Sequence, residues 1–270
     1  ISSNTSLPII WIDAGIHARE WIAPATALYL IGKLLSADGS ELLQSFQFYI
    51  APNINPDGYE FSFRMSRYWR KNRMPTSTVG CVGVDLNRNF PYKWGERGAS
   101  TWPCSDTYMG TRGGDQPESK AIINKLQEIK HKVILYITLH SYGQYILTPF
   151  GYQRSQYPPK YDELVSCKNV EGFYKAKCVG LINMAIKVIR TIWHTHNNVY
   201  TVGSAADLLY AAAGGSDDFA CGELQIPFSY TIELPDSGTY NFLLPEAYIP
   251  VVGEQMWTAL NVLAGELNTH

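Results

Sequence analysis

The sequence predicts an α/β fold built on a largely parallel or mixed β-sheet. Three observations carry that reading. Strand-like and helix-periodic stretches alternate along the chain, the pattern of sheet and helix layers. Residues 133–139 form an unbroken, β-rich apolar run, as in a strand buried on both faces. Apolar residues make up 46% and charged residues 17% of the 270 positions, enough for a large core and unlike a disordered chain. That length fits one large domain or two small ones. Residues 8–14 read as a buried strand. Residues 24–35 carry helical spacing and stop near Asp38-Gly39. Residues 46–51 form a second strand, followed by the turn-rich stretch 53–58. Residues 116–130 read as an amphipathic helix with Pro117 in its first turn, where a fixed φ is tolerated. Residues 179–193 are helical, 229–234 a strand, and 245–267 a closing helix with an irregular start. No internal repeat or linker is visible.

Charge and composition exclude several functions. Lys plus Arg number 22 and Asp plus Glu 24, a net charge of −2 and a pI near 6.3, so bulk charge does not drive nucleic-acid binding. The longest strongly apolar run is 133–139, far below the roughly 18 residues of a membrane helix. The chain starts at Ile1 with no charged or apolar leader before it; it is either processed or part of a longer precursor. Asn4-Thr5-Ser6 matches the N-glycosylation triplet, a pattern that also arises by chance. The five cysteines, Cys81, Cys104, Cys167, Cys178 and Cys221, show no C-x-x-C spacing, which argues against a thiolate zinc site. Buried free thiols fit an intracellular chain. Disulfides with one thiol left over fit a secreted one.

In α/β folds ligands gather at the carboxyl ends of strands, so polar residues just after strands are the candidates. His17 and Glu20 follow the first strand, His140 follows 133–139, and Glu233 ends the last strand. His17-Ala18-Arg19-Glu20 is a His-x-x-Glu pair, able to face one metal from a single turn. With 6 His and 13 Glu in the chain, chance supplies about 0.3 such pairs, so alone it also reads as a turn histidine beside a solvated glutamate. His140 would complete a His₂Glu set that leaves one position open for water. Glu233 reads as a general base or as a strand-end ion-pair partner. Asp85 either orients a ligand histidine or opens a turn. The segment 64–73 holds Arg64, Arg67, Arg70, Lys71 and Arg73 around Tyr68 and Trp69. It reads as a solvated face, a single-strand nucleic-acid patch, or arginines that bind carboxylate and polarise a carbonyl. No Gly-x-Ser-x-Gly elbow, Gly-x-Gly-x-x-Gly or Walker loop is present.

Seven stretches together resemble the zinc metallocarboxypeptidases of the pancreatic A/B subfamily. They are Trp11-Ile12-Asp13-Ala14-Gly15-Ile16-His17-Ala18-Arg19-Glu20-Trp21-Ile22, Asn53-Ile54-Asn55-Pro56-Asp57-Gly58-Tyr59, Arg67-Tyr68-Trp69-Arg70-Lys71-Asn72-Arg73, Cys81-Val82-Gly83-Val84-Asp85-Leu86-Asn87-Arg88-Asn89-Phe90, Leu139-His140-Ser141-Tyr142, Leu209-Tyr210 with Gly214-Gly215-Ser216-Asp217-Asp218, and Ile232-Glu233-Leu234-Pro235-Asp236. They follow the family's order over nearly the whole chain.

The resemblance implies a three-layer fold, a central mixed sheet with helices on both faces, in a single catalytic domain over 1–270 that lacks the family's first strands and helix. It implies one zinc ion on His17, Glu20 and His140, with Asp85 orienting His17. Glu233 would be the general base for a zinc-activated water, and Arg70 would stabilise the oxyanion. Asn87 and Arg88 would hold the substrate's terminal carboxylate, with Tyr210 closing over it and Arg19, Ser141 and Tyr142 lining neighbouring subsites. Asp217 matches the floor of the specificity pocket, where B-type enzymes carry an aspartate, which implies preference for C-terminal Lys or Arg. Asp207 would add a carboxylate nearby, and Asp218 or a loop shift would move the charge away. An A-type preference for apolar C-termini and an inactive binding homologue are the rival readings; the full set of His17, Glu20, His140, Arg70 and Glu233 argues against the second. Cys81–Cys104 matches the family's shared disulfide, a closure contributing roughly 3 kcal/mol. The family further implies secretion, a pro-domain in the precursor, peptide or protein C-termini as substrate, a proteinaceous carboxypeptidase inhibitor as partner, a monomer, and neither nucleic acid nor membrane. Two segments depart from it: 153–177 is long and carries Cys167 and Cys178, a local disulfide or a Cys178–Cys221 alternative, and Cys221-Gly222-Glu223 sits in a lengthened loop.

Overall fold

The structure, a computed structural model, describes residues 1–2, 4–159 and 180–268, with the backbone of 165–167 and 176–178. Strand β1 (Ile9–Ala14) leads to helix α1 (Ile22–Leu35), the short α2 (Ser40–Ser45) and β2 (Gln47–Ala51). Helix α3 (Pro56–Arg64) precedes a long run of turns, then α4 (Pro117–Ile129) and β3 (Val133–Ser141). Next come β4 (Tyr145–Thr148), the paired short strands β5 (Val165–Cys167) and β6 (Ala176–Cys178), α5 (Leu181–His196) and β7 (Thr201–Ser204). Helices α6 (Ala205–Leu208) and α7 (Ser216–Asp218), strand β8 (Phe228–Leu234) and helix α8 (Ile249–Asn268) follow.

Six strands make one mixed sheet in the order β2-β1-β3-β8-β4-β7. β2, β1, β3 and β8 run parallel, β4 is antiparallel to β8, and β7 is parallel to β4. Side chains alternate across a strand, so each central strand serves two cores. Ile10, Ile12, Leu135, Ile137, Leu139, Tyr230 and Ile232 pack against α1, α5 and α8. Ile9, Trp11 and Tyr136 pack on the other side against Ile122, Ile123, Leu126 and Ile129 of α4. Each such fully buried aliphatic side chain contributes about 1.5–3 kcal/mol. The α4 side changes character along the strands. Apolar at the amino ends, it turns polar toward the carboxyl ends, where Asp13 stands opposite Thr138, Thr138 opposite Thr231, and His140 opposite Glu233.

The expected strands and long helices are present within a few residues of their sequence bounds. The stretch 53–58 differs: it opens α3 instead of forming only a turn. Asn55 accepts a hydrogen bond from the Gly58 N–H and Pro56 occupies the first turn, so its turn-type residues are a helix cap. Residues 219–223 form a π-helical turn continuing α7 rather than a lengthened loop, with Phe219 and Ala220 buried. The disulfide Cys81–Cys104 closes a separation of 23 residues. Cys221 is a free thiol, which corrects the Cys178–Cys221 alternative. The Cys167–Cys178 pairing and most of 153–177 lie outside the described residues.

The turn leaving β1 needs glycine. Gly15 has φ +69°, and a Cβ there would stand 2.8 Å from Asn53 Oδ1 and 3.1 Å from its Cα. Gly15→Ala is therefore expected to lose about 1–2 kcal/mol of stability. Gly32→Ala, at an open position on α1, is expected to gain up to about 1 kcal/mol from helix propensity. Urea titration of both variants measures the difference; equal midpoints would contradict the constraint at Gly15.

Candidate active site

The end of β1 turns tightly. The Glu20 N–H bonds the His17 carbonyl at 3.2 Å, which puts both side chains on one side, and α1 begins just after. His17 Nδ1 lies 2.8 Å from Glu20 Oε1. From β3, His140 brings Nδ1 to 3.1 Å from Glu20 Oε2 and 3.2 Å from His17 Nδ1. All three residues are buried, and their donor atoms fall within 4.8 Å of one another. Glu20 Oε2 also accepts the Ser141 N–H at 3.2 Å.

Asp85 stands behind His17 and is completely buried. Its Oδ1 lies 3.1 Å from His17 Nε2 and accepts the Asn87 N–H at 3.0 Å; its Oδ2 accepts Arg70 Nε at 3.0 Å and Nη2 at 2.9 Å. Asp85 thus contacts the His17 ring and also caps the turn at Leu86–Arg88. A carboxylate placed at Nε2 favours the tautomer that carries its proton there, which would leave the Nδ1 lone pair toward the cluster when a metal is bound. Burial pushes the Asp85 carboxyl up, but Arg70, Arg88 and His17 outweigh it and hold the group well below the usual carboxylate range. Glu20 behaves alike: burial raises it, and the two histidines bring it down. Glu233 goes the other way. Burial pushes it up to about 7, with Glu20 and Asp217 adding to the rise against His140 and Arg70.

The donor set is suited to a metal. Two buried imidazole nitrogens 3.2 Å apart share one carboxylate, a nitrogen and oxygen trio of the kind that holds zinc.

His17, Arg19, Glu20, Arg70, Asn87, Arg88, His140, Ser141, Tyr142, Tyr210, Asp217 and Glu233 all line one cleft of about 240 Å³. Arg88 is buried, with Nε bonded to the Gly98 carbonyl and Nη1 to that of Asn87. Asn87 Oδ1 accepts the Ser216 N–H at 3.0 Å. This ties the Asp217 loop to the Arg88 turn, where Gly214 (φ +76°) passes so close that a Cβ would sit 2.4 Å from the Arg88 carbonyl oxygen. Asp217 and Asp218 diverge. Asp218 turns away and accepts the N–H groups of Gly151 and Tyr152 at 2.7–3.0 Å. Asp217, only 6% exposed, lines the cleft and pairs with no Lys or Arg among the described residues. Burial raises its pKa against the Thr231 hydroxyl. Asp207 does not add to it: its carboxylate bonds the Ser155 N–H and Tyr157 hydroxyl at the surface. Tyr210 stands 58% exposed at the mouth.

Sequence reasoning missed Phe242. Its ring lies under the Arg19 guanidinium at 4.4 Å and edge-on to Tyr142 at 5.0 Å. It comes from the aromatic-rich stretch after β8, where no spacing singles it out. Thr231 was findable, since it lies two positions before Glu233 on the same strand face.

The family profile described as zinc carboxypeptidase matches residues 1–259. Carboxypeptidase B of Astacus astacus is 40% identical over 260 residues, covering 95% of this chain and 80% of that protein. Carboxypeptidase A2 of Rattus norvegicus is 37% identical over 274 residues, covering all of this chain but 61% of the relative. Among solved structures, bovine thrombin-activatable fibrinolysis inhibitor in complex with tick carboxypeptidase inhibitor superposes with a TM-score of 0.88 at 38% identity, covering 99% of this chain and 83% of that one. The chain belongs to the zinc carboxypeptidase family.

Proposed function

We propose that the protein is a secreted C-terminal exopeptidase that prefers Lys or Arg at the residue it releases. The observation that carries the preference is Asp217, a buried carboxylate facing the cleft without a cationic partner among the described residues. A buried unpaired carboxylate is costly. A substrate ammonium or guanidinium placed there removes that cost, whereas an apolar side chain does not.

In this reading His17, Glu20 and His140 hold zinc. Bound zinc supplies a Lewis acid that polarises the scissile carbonyl and acidifies a water. Arg88 and Asn87 receive the terminal carboxylate of the substrate. An internal peptide bond has no such group, which makes the reaction exopeptidic. Arg70 is already fixed by Asp85, and its Nη1 makes no hydrogen bond within the described residues. That positive charge, oriented in advance, stabilises the oxyanion as it forms. Glu233, with its carboxyl pushed up to about 7, takes the proton of the attacking water and passes it to the leaving amine. Tyr210 closes the mouth with its phenol toward the substrate carboxylate. The Cys81–Cys104 disulfide fits an oxidising compartment, and the bovine neighbour's complex supports a proteinaceous inhibitor as partner. A precursor with a pro-domain follows the family pattern.

Asp217→Ile is expected to lower kcat/KM on a C-terminal Arg substrate by about 10²–10³-fold, the worth of a buried charge pair, while a C-terminal Phe substrate holds or improves. Steady-state assays on both substrates decide it: equal losses would remove Asp217 from the pocket, and a wild type that favours Phe would establish the A-type preference. Glu233→Ala is expected to lower kcat by at least about 10²–10⁴-fold with zinc content unchanged by metal analysis. Loss of the metal would instead make Glu233 a ligand.

A further inference from the structure

His17 has a carboxylate at its outer nitrogen; among the described residues His140 has none bonded at its outer nitrogen. Its Nδ1 faces Glu20 and His17, and its outer nitrogen, Nε2, is buried with no hydrogen-bond partner among the described residues. Two more buried atoms share that condition on the same sheet face. Thr138, two residues before His140 on β3, and Asp13, opposite it in the ladder, have Oγ1 and Oδ1 respectively buried without a well-formed hydrogen bond among the described residues. Asp13 is fully buried. Its other oxygen, Oδ2, is occupied by the Trp11 indole N–H at 2.8 Å and the Tyr136 hydroxyl at 2.7 Å. Neighbouring residues on one strand face are about 7 Å apart and adjacent strands about 4.8 Å. Burial raises the Asp13 carboxyl; the Thr138 hydroxyl, close enough to donate to it, opposes the rise first, with Tyr136, Trp11 and the nearby His140 adding to that opposition.

A ring nitrogen, a carboxylate oxygen and a hydroxyl are thus buried at neighbouring positions of one sheet face. Buried polar groups are normally satisfied, and a buried water needs two to four such partners. A metal-bound imidazole normally donates its outer N–H to an oxygen, which fixes the ring.

We infer that Asp13 is a positioning residue for His140, accepting the outer N–H of that ring through one buried water that Thr138 Oγ1 also holds. The inference rests on His140 being a zinc ligand. Trp11 and Tyr136 pin the first oxygen as an acceptor, so the second is directed at the water. In Asp13→Asn the same two donors would hold the amide oxygen at their side and turn the NH₂ toward His140, replacing the acceptor with a donor.

Zinc competition against a chelator, read by metal content of the purified protein, tests this separately from turnover. Asp13→Asn is expected to weaken zinc retention about 10–100-fold, and Thr138→Val to weaken it less. Tyr136→Phe, which removes only a donor to Oδ2, is expected to retain zinc as wild type does. Wild-type retention in Asp13→Asn overturns the inference, as does an equal loss in Tyr136→Phe, since Asp13 would then act through packing alone. If Asp13→Asn does not fold, the ¹H–¹⁵N signal of His140 Nε2–H in the zinc-loaded wild type decides. A slowly exchanging proton that shifts in Thr138→Val supports the link, and a rapidly exchanging one overturns it. His140→Ala that keeps full zinc affinity would instead refute the ligand reading itself.

Discussion

The site depends on one carboxylate, that of Asp85. It is fully buried and surrounded by four hydrogen-bonding contacts from three segments: the His17 ring, two nitrogens of Arg70, and the Asn87 amide. A charge of that kind is tolerated in a protein interior only when every oxygen is paired. Removing any one partner leaves the rest short, so the three segments are held in mutual register. The histidine of the metal cluster, the arginine that lines the cleft beside it, and the turn that presents Asn87 and Arg88 share one origin. The Cys81–Cys104 bridge closes the chain segment that carries this turn.

The sheet supplies the rest by a change of composition along its strands. On the α4 side, Ile9, Trp11 and Tyr136 belong to a dry core, while Asp13, Thr138, His140, Thr231 and Glu233 stand at or near the carboxyl ends. Core packing fixes the backbone of each strand to within the tolerance of its apolar neighbours. The polar residues inherit that rigidity without needing contacts of their own. This explains how Glu233 is positioned across from His140 although no hydrogen bond from the described residues holds its side chain.

Much of this was legible in the sequence for a physical reason. β1 and β3 begin as continuous apolar runs because both faces are covered, and β8 alternates apolar Phe228, Tyr230, Ile232 and Leu234 with polar residues, so all three announce themselves. His17, His140 and Glu233 stand out as polar residues ending such runs. Other parts were hidden. β4 and β7 have four residues each, too few for a periodic signal. α3 was masked because Asn55, Pro56 and Gly58 are turn residues that here cap a helix. Asp207 was misplaced because nearness in sequence to Tyr210 says nothing about direction; its carboxylate faces Ser155 and Tyr157 instead. Phe242 reaches the cleft through a loop, and only the fold brings it beside Arg19.

Asp217 and Asp218 are adjacent yet do unrelated jobs. Asp218 fastens the loop to the Gly151 and Tyr152 amides, and Asn87 fastens it again through Ser216. None of these bonds uses the Asp217 carboxylate. The side chain that faces the cleft is thus a different one from the side chains that hold its backbone in place. In the proposed reading, an exchange at residue 217 would change the substrate preference in a single step, while the loop, the arginine beneath it and the metal cluster beyond keep the contacts that hold them.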